Sequence, residues 1–140
     1  MDFIRDNQFL VSYMLRVLLG IVFILHGTQK LFGWFGGPGL EGFIGWIGTF
    51  GVPVWLAYVA VLCECLGGLL VLLGIAPELG ALMIMGTMIG AIVLVHWPHG
   101  FFIQNNGYEY TLTLVILCVM LIINGPGQYC LWDPFAVWRG

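Results

Sequence analysis

Apolar residues fill four runs of the chain, at positions 11–32, 54–74, 79–97 and 110–124, and polar or chain-breaking residues fill the gaps between them. About 20 apolar residues let a helix cross a hydrocarbon core about 30 Å thick, and the four runs predict four transmembrane helices. The breaks carry residues that stop helices: Gly36-Gly37-Pro38-Gly39 and Pro53, then Pro77, then Pro98, then Gly125-Pro126-Gly127. The fourth run is short, since Thr111 to Ile123 rises only about 20 Å as a helix. Either Tyr108 and Tyr110 extend it upward, or the apolar Gly100-Phe101-Phe102-Ile103 dips into the bilayer and the helix starts at depth. Between the first two runs Leu40, Phe43, Ile44, Ile47 and Phe50 recur at helical spacing, with Glu41, Gly42, Gly45 and Thr49 on the other face. That segment predicts a short interfacial or re-entrant helix. The expected fold is an all-α integral membrane four-helix bundle, a single domain over residues 1–140. Gly20, Gly27, Gly67, Gly68, Gly86 and Gly90 are expected to let its helices approach closely.

Composition fixes the solvent. Hydrophobic residues make up 61% of the chain and charged ones 8%, and the mean hydropathy is +1.02. The lipid bilayer is therefore the first partner. Four basic residues against a formal net charge of -3 exclude a basic patch for nucleic acid. Cys63, Cys65, Cys118 and Cys130 show neither zinc-type spacing nor Cys-x-x-Cys, and read as small apolar fillers. The first run lacks a small-residue cleavage site and is expected to stay as a membrane helix. An even number of spans puts both termini on one side, called side A, with the longer loops on side B. Arg5, Arg16 and Arg139 lie nearer side A and only Lys30 nearer side B, so the positive-inside rule makes the termini cytoplasmic.

Against this background a few polar residues stand out. Each ionisable residue inside the hydrocarbon costs about 2.5–3.5 kcal/mol at a helix centre and so calls for a partner; Arg16, His26, Lys30 and Glu64 are such residues. His26 and Lys30 lie one turn apart on the first span and lean back into the membrane, while Glu64 on the descending second span leans up toward them. Glu64 has two candidate partners, the His26/Lys30 pair or Arg16, the latter making a structural clamp. His96, which ends the third span, begins the stretch His-Trp-Pro-His-Gly-Phe-Phe-Ile-Gln-Asn-Asn-Gly-Tyr-Glu-Tyr. The combined side-B cluster is His26, Gln29, Lys30, Glu64, His96, His99, Gln104, Asn105 and Glu109, ringed by Trp34, Trp46, Phe101, Phe102 and Tyr108. Donors and acceptors within an aromatic rim suit a flat amphipathic ligand such as a quinone or quinol headgroup, or a proton path. The competing reading is a hydrogen-bond network that pins the loop to the helices. The histidines form no compact ligand motif, so haem or a metal is not expected, although His96, His99 and His26 can meet.

The motifs also form a familiar order. His26-Gly27-x-Gln29-Lys30-Leu31-Phe32-Gly33-Trp34, Gly39-Leu40-x-Gly42-Phe43-x-Gly45-Trp46 and Gly51-Val52-Pro53 resemble the first half of the DoxX family. Glu64-x-x-Gly67-Gly68, Val95-His96-x-Pro98-x-Gly100-Phe101-Phe102, Gln104-Asn105-x-Gly107-x-Glu109-Tyr110 and Gly125-Pro126-Gly127 resemble the second. Cys63, Cys65 and Asn106 depart from that pattern, where small residues or glycine are expected. The resemblance implies a small four-helix protein of the bacterial inner membrane, a subunit of a respiratory or thiosulfate:quinone type oxidoreductase assembly. Its functional positions here are His26, Gln29, Lys30, Glu64, His96, Gln104, Asn105 and Glu109. The working expectation is that Lys30 and His26 hold a quinone oxygen, Glu64 and Glu109 exchange protons, and Trp34, Trp46 and Phe101 flank the ring. No redox centre is encoded, so a partner complex supplies the electrons. The rival expectation is a non-catalytic accessory subunit or homo-oligomer, in which the cluster only stabilises the fold.

Overall fold

A computed structural model describes residues 7–136; Arg5 and Arg139 of the orientation argument lie outside them. Among the described residues five α-helices form: α1 (Gln8–Phe32), α2 (Gly39–Gly48), α3 (Val54–Leu73), α4 (Pro77–Ala91) and α5 (Glu109–Asn124). Helix α4 runs on through a widened π turn, Ile92–His96, and a 3-10 turn, Trp97–His99. With that extension, α1, α3 and α4 are each long and apolar enough to cross a membrane, and α5 is a shorter apolar helix. Of the two starts expected for the fourth run, the upward extension forms: α5 includes Glu109 and Tyr110, and Tyr108 stands at its N-cap.

Local chemistry sets the boundaries. Helix α1 ends where Gly33 takes a left-handed φ of 73° and its N–H returns to the Gln29 carbonyl at 3.1 Å, a conformation that a Cβ disfavours. Pro53 precedes α3, and Pro77 occupies the first turn of α4, where the missing N–H has no helical partner to lose.

Helices α1, α3, α4 and α5 pack in that order, and a thin α1–α5 seam closes the ring. Leu19, Phe23, Val71, Ala81, Ile84, Met88, Leu114, Cys118 and Leu121 fill the centre. The outward side chains, among them Met14, Leu18, Leu62, Val93 and Ile116, are apolar and exposed, as a lipid-facing surface requires. The expected interfacial helix is α2, which seats Phe43 on Ala57 and Val61 and so rests on α1 and α3.

At side A, Arg16 is 1% exposed. Its guanidinium donates to the Tyr129 carbonyl at 2.9 Å and to Cys130 Sγ, with its carbon 5.4 Å from the Tyr13 ring centre. The same C-terminal segment bonds under the α3–α4 turn, Trp132 N–H to the Gly74 carbonyl and Ala76 N–H to the Trp132 carbonyl. Arg16 is thus a clamp, on the C-terminal segment rather than on Glu64. Burial pushes the Cys130 thiol up, with Arg16 opposing.

Close approach holds for Gly20, Gly27, Gly67 and Gly68 and fails at two positions. The α3 and α4 backbones touch near side A, where a Cβ on Gly67 would lie 2.9 Å from the Gly80 carbonyl oxygen. At Gly86 and Gly90 a Cβ would meet nothing within 4 Å. The helix contact expected there does not form, because α3 and α4, held together at Gly67 and Gly80, diverge toward side B and leave a cavity.

Candidate functional site

That cavity measures about 510 Å³ and opens among all five helices, with His26 and Lys30 from α1, Trp46 from α2, Glu64 from α3, His96 beyond α4 and Tyr110 from α5 on its walls. Its lining is mostly hydrocarbon, and its charged pair and histidines come from the side-B half of the bundle. The volume falls within the range of about 300–1,000 Å³ usual for small-molecule sites.

The anchor is an ion pair. Lys30 Nζ lies 2.6 Å from both Glu64 carboxylate oxygens, Glu64 is 2% exposed, and the ammonium sits 4.9 Å from the Phe43 ring centre. Both charges have left water, so each depends on the other and on the ring face. Of the two partners open to Glu64, the structure gives it Lys30. His26, one turn before Lys30, makes no side-chain hydrogen bond among the described residues, and its ring centre lies 6.4 Å from that of Tyr110. Both of its ring nitrogens are therefore available to a ligand.

His96 reaches the cavity because the end of α4 is not regular. Pro98 offers no N–H to the Leu94 carbonyl and crowds it, and the ladder widens into the π turn just before the proline. His96 Nδ1 bonds the Asn106 carbonyl at 2.8 Å. A carbonyl only accepts, so Nδ1 carries the proton, and Nε2 is an acceptor while the ring is neutral.

The other residues expected in the cluster stand off the cavity. Glu109 accepts the Ile103 N–H at 3.0 Å. His99 Nδ1 bonds the Val95 carbonyl at 3.0 Å, and Gln29 reaches the Phe35 carbonyl at 3.5 Å. Gln104 and Asn105 are exposed. Trp34 packs on Phe32, and Phe101 lies edge-on to Tyr108 and Phe102. Loop 100–108 itself is compact: Tyr108 N–H bonds the Gly100 carbonyl and Glu109 N–H bonds that of Phe101. Trp97 stacks on Tyr108 with ring centres 5.4 Å apart. A Cβ on Gly107 would overlap the Phe101 backbone. Asn106 takes φ 63°, a conformation that asparagine tolerates better than most residues. Sequence reasoning left Tyr110, Phe43, Cys63 and Thr111 out of the cavity wall. The tilt of helical side chains toward the N-terminus was the available signal for Tyr110, since it turns the second residue of α5 back toward side B. Among the described residues no three His, Cys, Asp or Glu side chains are grouped to hold a metal ion.

A buried Lys–Glu pair joining the first two spans, with a histidine on each side, matches the order of motifs read from the sequence. The DoxX family profile covers residues 11–97. The chain belongs to the DoxX family. It is 34% identical over 125 residues to the putative oxidoreductase CatD of Bacillus subtilis, covering 89% of this chain and 86% of that protein. It is 28% identical over 114 residues to the inner membrane protein YqjF of Escherichia coli, covering 81% and 83%. An uncharacterized protein of Haemophilus influenzae is 30% identical over 127 residues, covering 86% and 87%. No solved structure matches. This DoxX protein is integral to the membrane, and the family profile ends at Trp97, one residue after His96.

Proposed function

We propose that the side-B cavity binds a quinone or quinol headgroup, and that the protein serves as a membrane subunit of an oxidoreductase assembly. The observation that carries this reading is a closed Lys30–Glu64 pair flanked by His26, which makes no side-chain hydrogen bond among the described residues, and by His96 Nε2, at the polar part of an otherwise apolar membrane cavity. A bound quinone supplies two-electron, two-proton chemistry, with a partner protein as the other electron carrier. Lys30 donates a hydrogen bond to one headgroup oxygen and His26 to the same or the opposite one. Glu64 holds the ammonium in place and exchanges a proton with it. His96 Nε2 takes a proton from a hydroxyl. Trp46 and Phe43 border the ring. The name of CatD supports the oxidoreductase class, and that of YqjF supports the bacterial inner membrane, with the termini on the cytoplasmic side by the charge rule.

A second reading, the accessory subunit, has its own support in the many polar residues occupied by loop 100–108. One substitution separates the two, because His26 makes no side-chain hydrogen bond among the described residues. His26→Leu in lipid nanodiscs is expected to weaken quinone binding about 2- to 12-fold, one hydrogen bond's worth, with an unchanged melting temperature. Unchanged binding, or a wild-type protein that binds no quinone, overturns the proposal and leaves the accessory role.

A further inference from the structure

The cavity does not stop at its polar groups. It continues toward side A between α3 and α4, past Ala60 and Cys63 on one wall and Gly90, Gly86 and Met83 on the other. From His96 to Met83 this is about 20 Å of helix. Val59 and Leu82 border it and are 43% and 47% exposed, so the groove opens sideways onto the lipid-facing surface. Any side chain at Gly86 or Gly90 would occupy that opening, where a Cβ has nothing within 4 Å.

We infer that this groove holds the hydrocarbon tail of the ligand, which enters laterally from the bilayer between α3 and α4. The ligand is therefore a lipid-soluble quinone with a prenyl or alkyl chain rather than a small tailless one. The inference rests on the quinone reading of the polar end. It follows from continuity: one cavity joins a hydrogen-bonding end near side B to an apolar channel that runs down the helices, the shape of an amphiphile with its ring near the membrane face. A tail gains little hydrophobic free energy by leaving lipid for protein. The groove therefore selects by shape, and filling it with side chains is a direct probe.

The test compares 2,3-dimethoxy-5-methylbenzoquinone with its 6-decyl derivative, in wild type and in Gly86→Leu/Gly90→Leu, both in nanodiscs and corrected for partition into lipid. The double variant is expected to bind the decyl compound roughly tenfold more weakly, the size of an overpacking penalty. Its affinity for the tailless compound and its melting temperature are expected to stay as in wild type. Gly90→Leu alone serves if the double variant does not fold. Equal effects on both compounds, or on neither, overturn the inference while leaving the headgroup site standing. A change of oligomeric state in the variant also overturns it, by showing that a second copy fills the groove. Failure of wild type to bind either compound removes the headgroup reading itself.

Discussion

At the scale of single residues, the structure divides the polar side chains between two tasks. Lys30, Glu64, His26 and His96 face the cavity, and Glu109, His99 and Gln29 instead bond backbone groups, the Ile103 N–H and the Val95 and Phe35 carbonyls. The sequence showed that all of these needed partners but not which they would take. Within fifteen positions it offered several donors and acceptors, and only the backbone path of loop 100–108 sorts them. Side-chain tilt and the rise of two antiparallel helices brought Lys30 and Glu64 toward each other but left Arg16 open as a partner of Glu64, and the structure decides for Lys30. Two predictions belong at this scale. Lys30→Met leaves Glu64 a buried unpaired charge and is expected to cost about 3–5 kcal/mol. Lys30→Met/Glu64→Met is expected to recover most of that loss, read as melting of the four proteins of the cycle in detergent; additive losses would show that the pair is not coupled. Glu109→Ala removes the acceptor of Ile103 N–H and the acidic group in the first turn of α5. It is expected to cost about 1–3 kcal/mol and to speed amide exchange at Ile103 without changing quinone affinity. Lost affinity with an intact loop would return Glu109 to the site.

At the scale of elements, the three long apolar helices, the shorter α5 and the short helix α2 were readable from hydrophobic runs and Gly/Pro punctuation. The two surprises are both departures from ideal helix geometry. Nothing in the apolar run before Trp97 signals a π turn except Pro98 beyond it, yet that turn sets where His96 points. The Gly86-x-x-x-Gly90 stripe reads as a helix contact and instead borders the cavity, because whether a small face meets a neighbour depends on the splay between helices. That splay is set elsewhere, by Gly67 against Gly80. Gly80→Val is accordingly expected to push α3 from α4 at side A and to destabilise the bundle by about 1–3 kcal/mol, whereas Gly86→Ala, with nothing within 4 Å, is expected to leave the melting temperature unchanged. Thermal unfolding of the two single variants in one detergent checks the contrast, and equal losses would mean that α3 and α4 do not diverge.

At the scale of the whole molecule, the bundle is tied at side A and open at side B. Arg16 and the Trp132 backbone hold the C-terminal segment across the base, and the thin α1–α5 seam and the α3–α4 splay leave room above. Such a shape fits a ligand that partitions into lipid and presents its ring at one membrane face. The central claim is that the Lys30–Glu64 cavity is where that ring resides. Its most direct test is photolabelling of the purified protein in nanodiscs with an azido-substituted tailed quinone, with the modified residues mapped by mass spectrometry. The account predicts modification within 23–30 of α1 and 56–64 of α3, suppressed by excess unlabelled quinone. Modification confined to outward-facing residues, or undiminished by the competitor, would contradict it.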